Sequence, residues 1–442
     1  MKSDDRAKVL LCATRWWPLS ARLAIAFIRH GCRVAAVCPP GHPLKCVTGI
    51  ENIYPDRGRA IESAIAAYCP DIVVPCDEDA VRQLHFLHES NSEVRRLIED
   101  SLGAAEMYPI IRSRGEMLRV ASELGIRIPK TRLVASKADL DGWPAEAGAV
   151  LKLDGTWAGI GVEIVRSVDE MQAGYSRLSR HRGASDGWER LLYHYDASGL
   201  WSRRDREERN ITIQQFIPGR PANAMLACWR GEVLSVVMVE VVCAHGATGI
   251  STVVRVIQHP EIVEAAKLLA RRFMLTGFHG LDFMIEQGTG AAYLIEFNPR
   301  CTQLGHLRLS GAGDLAGVLI AQLKGMAAPV EDEPIASDTI AFFPSAFLLN
   351  PRNPYLRVGY HDVPWGEPQL LQELLREAWP HRQWATRLYR LFRPAERSVE
   401  VDFDRDTIGY SREMISEADF VTMNREFSSG SDLQVSAKRK AP

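Results

Sequence analysis

The sequence predicts a protein of mixed α/β and α+β class, and three observations support this prediction. Strand-like and helical patterns alternate over residues 8–110. A glycine-rich loop joins two strand-like runs between residues 149 and 165. A later apolar run ends with a carboxylate and a carboxamide two positions apart, at 296 and 298. The regular alternation is typical of a parallel, Rossmann-like sheet, and the mixture of strands and helices that follows is typical of the α+β class.

The Rossmann-like region is predicted from five elements. In order these are a strand at Val9–Ala13, a helix capped by Ser20 and closed by Gly31, a strand at Arg33–Cys38, a helix at Ala60–Tyr68 and a strand at Asp71–Pro75. The first turn lacks the Gly-x-Gly-x-x-Gly fingerprint, which argues against dinucleotide binding there. Ligands favour the carboxyl ends of such strands, which places Thr14, Arg15 and Cys76–Asp79 near a substrate pocket. For these residues we favour the alternative interpretation, a solvated loop.

The rest of the chain divides by pattern into further segments. A helix carrying Met117 and Val120 precedes a strand at Thr131–Val134, and a second helix spans Glu261–Phe273 with one apolar face. The polar stretch 168–210 is interpreted as solvated surface, with an insertion or a lid as alternatives. The predicted units are a Rossmann-like domain at 1–110, a central domain at 111–330, a C-terminal extension at 331–425 and a disordered tail at 426–442.

The composition excludes several classes of protein. The chain has 442 residues, of which 46% are hydrophobic and 24% charged, as expected for a soluble globular protein of about three domains. Its net charge of −2 gives no general attraction to nucleic acid or anionic lipid. The charged start predicts no signal peptide, and no apolar run approaches the ~18 residues of a membrane span. Nine cysteines without Cys-x-x-Cys spacing predict reduced thiols and a cytoplasmic location.

The glycine-rich loop follows the strand that carries Lys152. Gly155, Gly159 and Gly161 allow successive backbone N–H groups to turn toward one anion, and Lys152 adds a positive charge. The loop is not a Walker A motif, because it lacks that spacing and a strand-like run follows it at Val162. We predict a flap that closes over phosphates. A hairpin turn with an incidental lysine is the alternative.

A candidate nucleotide hinge follows at residues 214–219. Gln214 and Gln215 end a buried strand, which leaves through Pro218 and Gly219 and is expected to offer free backbone N–H and C=O groups to an adenine edge. Phe216 and Ile217 would form an apolar slot beside it. A strand followed by a turn explains this segment equally well when it is taken alone.

Glu296 and Asn298 form the candidate metal site. Side chains at positions i and i+2 of a strand share a face, so both can point at one object. Asp282 lies on the preceding strand-like run, and a hairpin through Gly288 and Gly290 would bring it beside Glu296. Carboxylate and amide oxygens suit Mg²⁺. A strand ending in a solvated polar turn is the alternative.

In this order, these segments resemble the ATP-grasp superfamily over residues ~110–310, and the N-terminal region more weakly resembles the pre-ATP-grasp domain. The resemblance implies an ATP-grasp domain of two α+β subdomains that binds ATP and Mg²⁺ or Mn²⁺. It implies that Lys152 contacts the α- and β-phosphates, that the flap covers the β- and γ-phosphates and that Gln214–Ile217 form the adenine hinge. The same resemblance assigns the metal to Asp282, Glu296 and Asn298, and the acyl phosphate or substrate carboxylate to Arg300.

Two parts of the candidate site, the phosphate-binding position and the hinge, depart from the family pattern. Many members carry a phosphate-binding lysine where this chain has Arg114, which keeps the charge but changes the donor geometry. The usual acidic residue of the hinge is Gln215 here, and Gly219 is not followed by the acidic residue that often reaches the ribose.

These features predict an ATP-dependent carboxylate–amine ligase acting through an acyl phosphate. Arg255 is a candidate for stabilising the tetrahedral oxyanion, with an ordinary surface arginine as the alternative. The alternatives for the whole protein are a phosphotransferase and a non-catalytic ATP-binding sensor or scaffold. The expected partners are small-molecule carboxylates and amines, with neither nucleic acid nor membrane, and homo-oligomerisation stays open. We interpret His245, His279, His306 and Cys301 as packed or solvated rather than reactive.

Overall fold

The computed structural model describes residues 6–144, 148–154, 161–180, 210–309, 313–327, 334–384, 387 and 399–404. Several predicted features lie outside these residues: Gly155 and Gly159 of the flap, residues 181–209 of the polar stretch, and the tail at 426–442. The described chain forms three principal sheets and one two-stranded ribbon.

The N-terminal region alternates strands and helices. Its elements are β1 (Lys8–Cys12), α1 (Leu19–Arg29), β2 (Arg33–Cys38), β3 (Ile50–Pro55), α2 (Ala60–Tyr68), β4 (Ile72–Pro75), α3 (Glu78–Ser90), α4 (Arg95–Leu102), α5 (Tyr108–Arg112) and α6 (Arg114–Glu123), with 3-10 turns at Pro43–Cys46, Ser92–Val94 and Ala105–Met107. The four strands form a parallel sheet in the order β3-β2-β1-β4. Strands β1, β2 and β4 are apolar runs because helices cover both faces of the sheet. This confirms the predicted Rossmann-like architecture.

One local expectation in this region is wrong, and one strand was missed. Helix α1 begins at Leu19, so Ser20 lies inside its first turn, where its hydroxyl donates to the Trp17 carbonyl at 2.7 Å instead of capping the helix. Strand β3 was not predicted from the sequence. It lies at the edge of the sheet, and its residues are half-buried or exposed, so it lacks the apolar run that identifies its neighbours.

A second sheet is antiparallel and carries Lys152 and the candidate hinge. Its elements are β5 (Thr131–Val134), a 3-10 turn (Lys137–Leu140), β6 (Ala149–Leu153), β7 (Val162–Val165), α7 (Val168–Arg180) and β8 (Ile211–Gln215). The strand order is β5-β8-β6-β7. Helix α7 begins the stretch predicted as solvated surface, yet Met171 and Leu178 pack on Leu151 in the core of this sheet. The described part of that stretch is therefore an amphipathic helix.

The largest sheet has eight strands and includes the C-terminal residues. Its region comprises β9 (Gly219–Trp229), β10 (Glu232–His245), β11 (Ser251–Val256), α8 (Pro260–Phe273), β12 (Gly277–Glu286), β13 (Ala292–Asn298), β14 (Arg308–Leu309), β15 (Gly313–Asp314), α9 (Leu315–Lys324), β16 (Thr339–Phe342), α10 (Ser345–Leu349), α11 (Tyr355–Val358), β17 (Tyr360–Asp362), α12 (Pro368–Leu374), α13 (Trp379–Arg382) and β18 (Glu400–Asp402). The order is β13-β12-β9-β10-β11-β16-β17, and β18 pairs with β10. The described part of the predicted extension is thus continuous with the sheet of the central domain.

The N-terminal and large sheets share one hydrophobic core, which holds Leu11 of β1, Met225 of β9 and Leu319 of α9. A second core packs α6 and α8 against the other face of the large sheet. This shared packing fixes the N-terminal strands beside the large sheet. No helix within the described part of the chain is long and apolar enough to cross a membrane.

Candidate active site

A cavity of about 320 Å³ lies among the three principal sheets. The N-terminal region contributes Arg15, Trp17 and Glu78 to its walls, and β9, β10 and the segment before β11 form another side. Most of the predicted site residues line this cavity, namely Arg114, Lys152, Gln214, Gln215, Phe216, Ile217, Asp282, Glu296, Asn298 and Arg300. Residues separated by almost 200 positions in sequence therefore converge on one space.

The two candidate metal carboxylates face each other across a hairpin. Strands β12 and β13 pair antiparallel with Asp282 opposite Glu296, which confirms the predicted hairpin, and an irregularity in the pairing follows Asp282. Asn298 donates through Nδ2 to Asp282 Oδ2 at 3.0 Å, so it shares the face of the sheet with the carboxylates. On the other side, Asn223 of β9 donates to Asp282 Oδ1 at 2.6 Å. Sequence reasoning missed Asn223, which has no distinguishing motif.

The acidities of the two carboxyl groups differ. Burial, and then the negative charge of Glu296, raises the pKa of Asp282 to about 6. Burial would also raise the pKa of Glu296, but the positive charges of Arg114 and Lys152 outweigh it and lower that pKa. Asp282 and Glu296 therefore oppose each other, but the positive charges of the protein stabilise the ionised form of Glu296 much more than that of Asp282. A bound cation would favour the ionised form of both.

The chemistry of these donors fits a hard divalent cation. Among the described residues, no three His, Cys, Asp or Glu side chains are grouped to hold a metal, so a metal here depends on an amide oxygen beside the two carboxylates. Asn298 presently turns Nδ2 to Asp282, and its Oδ1 lies 3.4 Å from Arg300 Nη2. Coordination through Oδ1 therefore requires rotation of the amide. With that rotation the set is all oxygen, as Mg²⁺ or Mn²⁺ prefers.

Lys152 and Arg114 supply positive charge beside the carboxylates. Lys152 is buried on β6, and its Nζ donates to the Ile295 carbonyl at 3.3 Å. Burial, followed by repulsion from Arg114, lowers the pKa of Lys152 to about 8. Arg114 begins α6 and donates to Glu296 at 2.7 Å and to Asp154 at 3.4 Å. Two cations with little solvent access are placed where they would meet an anion entering the cavity.

The candidate hinge differs from its expected form. Strand β8 is not a free edge, because β5 and β6 flank it on both sides. The N–H groups of Gln215 and Phe216 already donate to the carbonyls of Lys130 and Gly148, at 2.8 and 3.3 Å. No acceptor for the Ile217 N–H lies among the described residues, so the first backbone donor open to a ligand is at Ile217. Gln214 is buried, and its Nε2 has no hydrogen-bond partner among the described residues.

The loops after β1 and β4 are buried, which corrects the preference for a solvated loop. Asp77 caps α3 and accepts hydrogen bonds from the N–H and hydroxyl of Thr14, both at 2.7 Å. Arg15 donates to Asp79 through Nε at 2.8 Å and Nη2 at 2.6 Å. Thr14, Arg15, Asp77 and Asp79 are all less than 10% exposed. The carboxyl ends of the parallel strands therefore form a wall of the cavity, as such ends do in open α/β sheets.

Arg300 and Glu78 form an ion pair within this wall. Arg300 Nε and Nη2 each lie 2.6 Å from Glu78 Oε1, and Arg300 Nη1 donates to its neighbour's carbonyl, at Cys301, at 3.2 Å. Burial would lower the pKa of the guanidinium, but Glu78 outweighs this and raises it. Arg300 therefore carries its charge at all relevant pH values, and Glu78 is the acidic side chain that balances it.

Arg255 does not line the cavity, which argues against the oxyanion role and favours the alternative, an arginine outside the site. Its guanidinium on β11 is held by Glu240 at 2.7 Å and by Asp404 at 2.5 Å, and Arg220 also pairs with Asp404 at 2.5 Å. The side chain is thus committed to structural ion pairs. Asp404 follows Phe403, which lines the cavity directly after β18. The C-terminal segment therefore contributes a wall residue that sequence reasoning did not identify.

The histidines and Cys301 are placed as packed residues. His279 is buried, and burial lowers its pKa to about 4, while its Nε2 lies 2.9 Å from the Thr276 carbonyl. His306 pairs with the buried Asp362 at 2.7 Å. Neither of these nor His245 lines the cavity. Burial raises the pKa of Cys301 to about 12, so its thiol stays protonated, and all nine cysteines are free.

Residues 197–303 match the family described as the ATP-grasp domain. That segment includes the hinge, β9 to β13 and Arg300. The chain matches no curated protein sequence. The family match therefore covers the side of the cavity that holds the candidate metal site and the candidate hinge, and it does not include the N-terminal side.

The structure is similar to solved structures of enzymes that share this architecture. It aligns with N5-carboxyaminoimidazole synthase from Aspergillus clavatus, in complex with ADP and 5-aminoimidazole ribonucleotide, at a TM-score of 0.54 and 15% identity, over 75% of this chain and 80% of that chain. The Staphylococcus aureus synthetase aligns at 0.51 and 13%, over 73% and 78%. The biotin carboxylase domain of Hydrogenobacter thermophilus 2-oxoglutarate carboxylase, solved with MgADP and bicarbonate, aligns at 0.50 and 13%, over 74% and 71%. At these identities the likeness establishes the fold.

Proposed function

We propose that this chain, an ATP-grasp protein by its domain match and its fold, is an ATP-dependent ligase that activates a small-molecule carboxylate and joins it to an amine. One observation carries the proposal. The opposed carboxylates Asp282 and Glu296, the cations Lys152 and Arg114, and Arg300 all line one cavity. This arrangement suits phosphoryl transfer, in which catalysis is mostly positioning and charge stabilisation.

The nucleotide is proposed to lie between β6, β8 and β13. The Ile217 N–H, which has no acceptor among the described residues, is a donor that a ring nitrogen of adenine would satisfy, since buried polar groups are normally hydrogen-bonded. Lys152 and Arg114 would bind the phosphates. Similar solved structures contain ATP or ADP, which supports nucleotide binding by this chain.

Asp282, Glu296 and Asn298 are proposed to hold a divalent cation. Such an ion, when bound, neutralises charge on phosphate oxygens and orients them. The protein's own contribution at this point is to hold the two carboxylates on adjacent strands and to fix Asp282 through the amide of Asn223. Arg114 would pass from Glu296 to the phosphates as these groups assemble.

Arg300 is proposed to bind the substrate carboxylate beside the γ-phosphate. The carboxylate oxygen attacks phosphorus in line, the bond to the β,γ-bridging oxygen breaks, and ADP leaves. The acyl phosphate that forms is then attacked by an amine, which releases phosphate and gives an amide. Many residues of the surrounding wall are buried, which limits the access of water to the acyl phosphate. This protection favours attack by the amine over hydrolysis.

Trapping of the acyl phosphate tests this function. Purified protein is incubated with ATP, Mg²⁺, hydroxylamine and pooled L-amino acids and small organic acids, and hydroxamate and ADP are measured together. A ligase forms both in equal amounts, and Glu296→Gln is expected to reduce both at least about 100-fold through loss of charge at the metal site. Glu123→Gln removes an exposed carboxylate at the end of α6, with a side chain 60% exposed, and serves as the matched control.

Other outcomes would identify a different activity. ADP formation with a phosphorylated alcohol and no hydroxamate would make the protein a phosphotransferase. ATP binding without turnover, unchanged in Glu296→Gln, would be the result for a sensor or scaffold. Either result overturns the ligase proposal.

A further inference from the structure

The Arg300–Glu78 pair bears on the class of the carboxylate substrate, given the proposed function. The two residues come from different parts of the chain, 222 positions apart, and both line the cavity. The side chain of Arg300 is 16% exposed and that of Glu78 is 32% exposed. This is a partly desolvated ion pair at the place where the substrate carboxylate is expected, and not a fully solvated surface pair.

The other acidic groups of this wall are already committed. Asp77 Oδ1 accepts from the Thr14 hydroxyl and the Ala80 N–H, and its Oδ2 accepts from the backbone N–H groups of Thr14 and Arg15. Asp79 holds the guanidinium of Arg15. Glu78 differs, because both contacts from Arg300 fall on Oε1, and Oε2 has no hydrogen-bond partner among the residues that the structure describes. Glu78 thus retains acceptor capacity on the cavity wall.

A substrate that carries only a carboxylate is a poor match for this pair. It would draw Arg300 away from Glu78 and leave this partly buried glutamate without the cation that contacts it, which is costly. A substrate that also carries an ammonium group would compensate both partners at once. Because Arg300 and Glu78 are in direct contact, the two charges of the ligand must also be close to each other, as they are when both groups are attached to one carbon.

We propose that the carboxylate substrate is an α-amino acid zwitterion, whose carboxylate is bound by Arg300 and whose ammonium group is bound by Glu78. Glu78 is then a specificity-determining residue. It discriminates amino acids from acids of the same shape that lack the amino group. Trp17 lies at the same end of the cavity, since it also shares a small adjoining pocket with Cys76 and Thr302, and it offers an apolar surface to the substituent of the amino acid.

The test compares two matched pools of acids in the hydroxamate assay. One pool holds the twenty L-amino acids, and the other holds their counterparts without the α-amino group, such as 4-methylpentanoate for leucine. The wild-type protein is expected to form hydroxamate with the first pool at least about 10-fold faster than with the second, the discrimination that one charge-assisted hydrogen bond supplies. Equal rates, faster reaction of the second pool, or no reaction with either pool would overturn the proposal.

Variants of Glu78 link the preference to this side chain. In Glu78→Gln, KM for the active amino acid is expected to rise about 10- to 100-fold with a smaller change in kcat, while KM for its counterpart without the amino group stays level or falls. Glu78→Asp keeps the charge and is expected to restore part of the preference. Glu89→Gln, which removes a carboxylate with 58% exposure from the same helix, is the control and should behave as wild type.

These results separate substrate recognition from general damage. A merely structural role for Glu78 would lower kcat/KM for both pools by the same factor, and that outcome refutes the assignment. If amino acids fail but other organic acids form hydroxamate, the ligase proposal stands and the zwitterion proposal falls. If no acid of any kind forms hydroxamate, the proposed function itself fails.

Discussion

Lys152 is predicted to make ATP binding depend on pH on the alkaline side of neutrality. Burial and the nearby Arg114 lower the pKa of its ammonium group to about 8 in the ligand-free protein. A polyphosphate placed beside it would favour the charged form and raise that pKa again. The free protein loses this proton as the pH rises through 8, whereas the complex keeps it. ATP affinity must therefore fall as the pH rises.

The size of the effect follows from the fraction of free protein that carries the ammonium group. With a pKa of about 8, this fraction falls from roughly three quarters at pH 7.5 to about 3% at pH 9.5, which weakens the apparent affinity about 25-fold. Lys152→Arg removes the dependence, because a guanidinium stays ionised throughout this range. Its affinity can differ from wild type, but its profile should be flat.

Isothermal titration calorimetry with a non-hydrolysable ATP analogue and Mg²⁺ measures this prediction directly. Titrations at about pH 9 in two buffers of different ionisation enthalpy should show uptake of about one proton by the wild-type protein and none by Lys152→Arg. If the affinity of the wild-type protein did not change with pH, binding of the phosphates would not change the protonation of Lys152. An equal fall in both proteins would assign the titration to another group.

Two further predictions concern the C-terminal segment and the metal strands. The hydrogen bond from Arg255 outweighs burial and lowers the pKa of Asp404 to about 2, so its contribution to stability is complete above about pH 4 and is lost as the pH falls toward 2. Asp404→Asn should lower the free energy of unfolding by about 1–2 kcal/mol at pH 7, after allowance for partial exposure. In urea unfolding, the difference in this free energy between wild type and variant should shrink toward pH 2, and a difference that stays constant with pH would contradict the prediction. In Gly280→Ala the new Cβ would lie 2.4 Å from Thr302 Cγ2 and 3.3 Å from Asn298 Cβ, so hydroxamate formation should fall about 10-fold. The control is Gly366→Ala, where no atom lies within 4 Å of the new Cβ, and it should match wild type. Equal activities of the two variants would argue against close packing at Asn298.

Features that depend on neighbouring residues in sequence were predictable. The hairpin that opposes Asp282 and Glu296 is local, because a short glycine turn sets the register of both strands. The alternation of buried runs identified the parallel sheet for the same reason. In each case the periodicity of side chains along the backbone carries the information.

The errors arose where a distant partner decides the environment. Arg255 carries a positive charge that suits an oxyanion, but its guanidinium is held in ion pairs with Glu240 and Asp404 outside the cavity. The end of strand β8 was expected to offer free backbone groups, yet the N–H groups of Gln215 and Phe216 donate to the carbonyls of Lys130 and Gly148. None of these partners lies within the short window in which a pattern can be recognised.

The sequence by itself determined the fold class, the ATP-grasp resemblance and the identity of most of the candidate site residues that line the cavity. Only the tertiary structure decided which of them share a space with Glu78, Asn223 and Phe403, and which are committed elsewhere. The physical reason is that local backbone geometry sets the direction of a side chain, whereas its charge balance is set by groups brought near it when the sheets pack together. Glu78, the partner of Arg300 across 222 positions, is the residue for which this difference matters most.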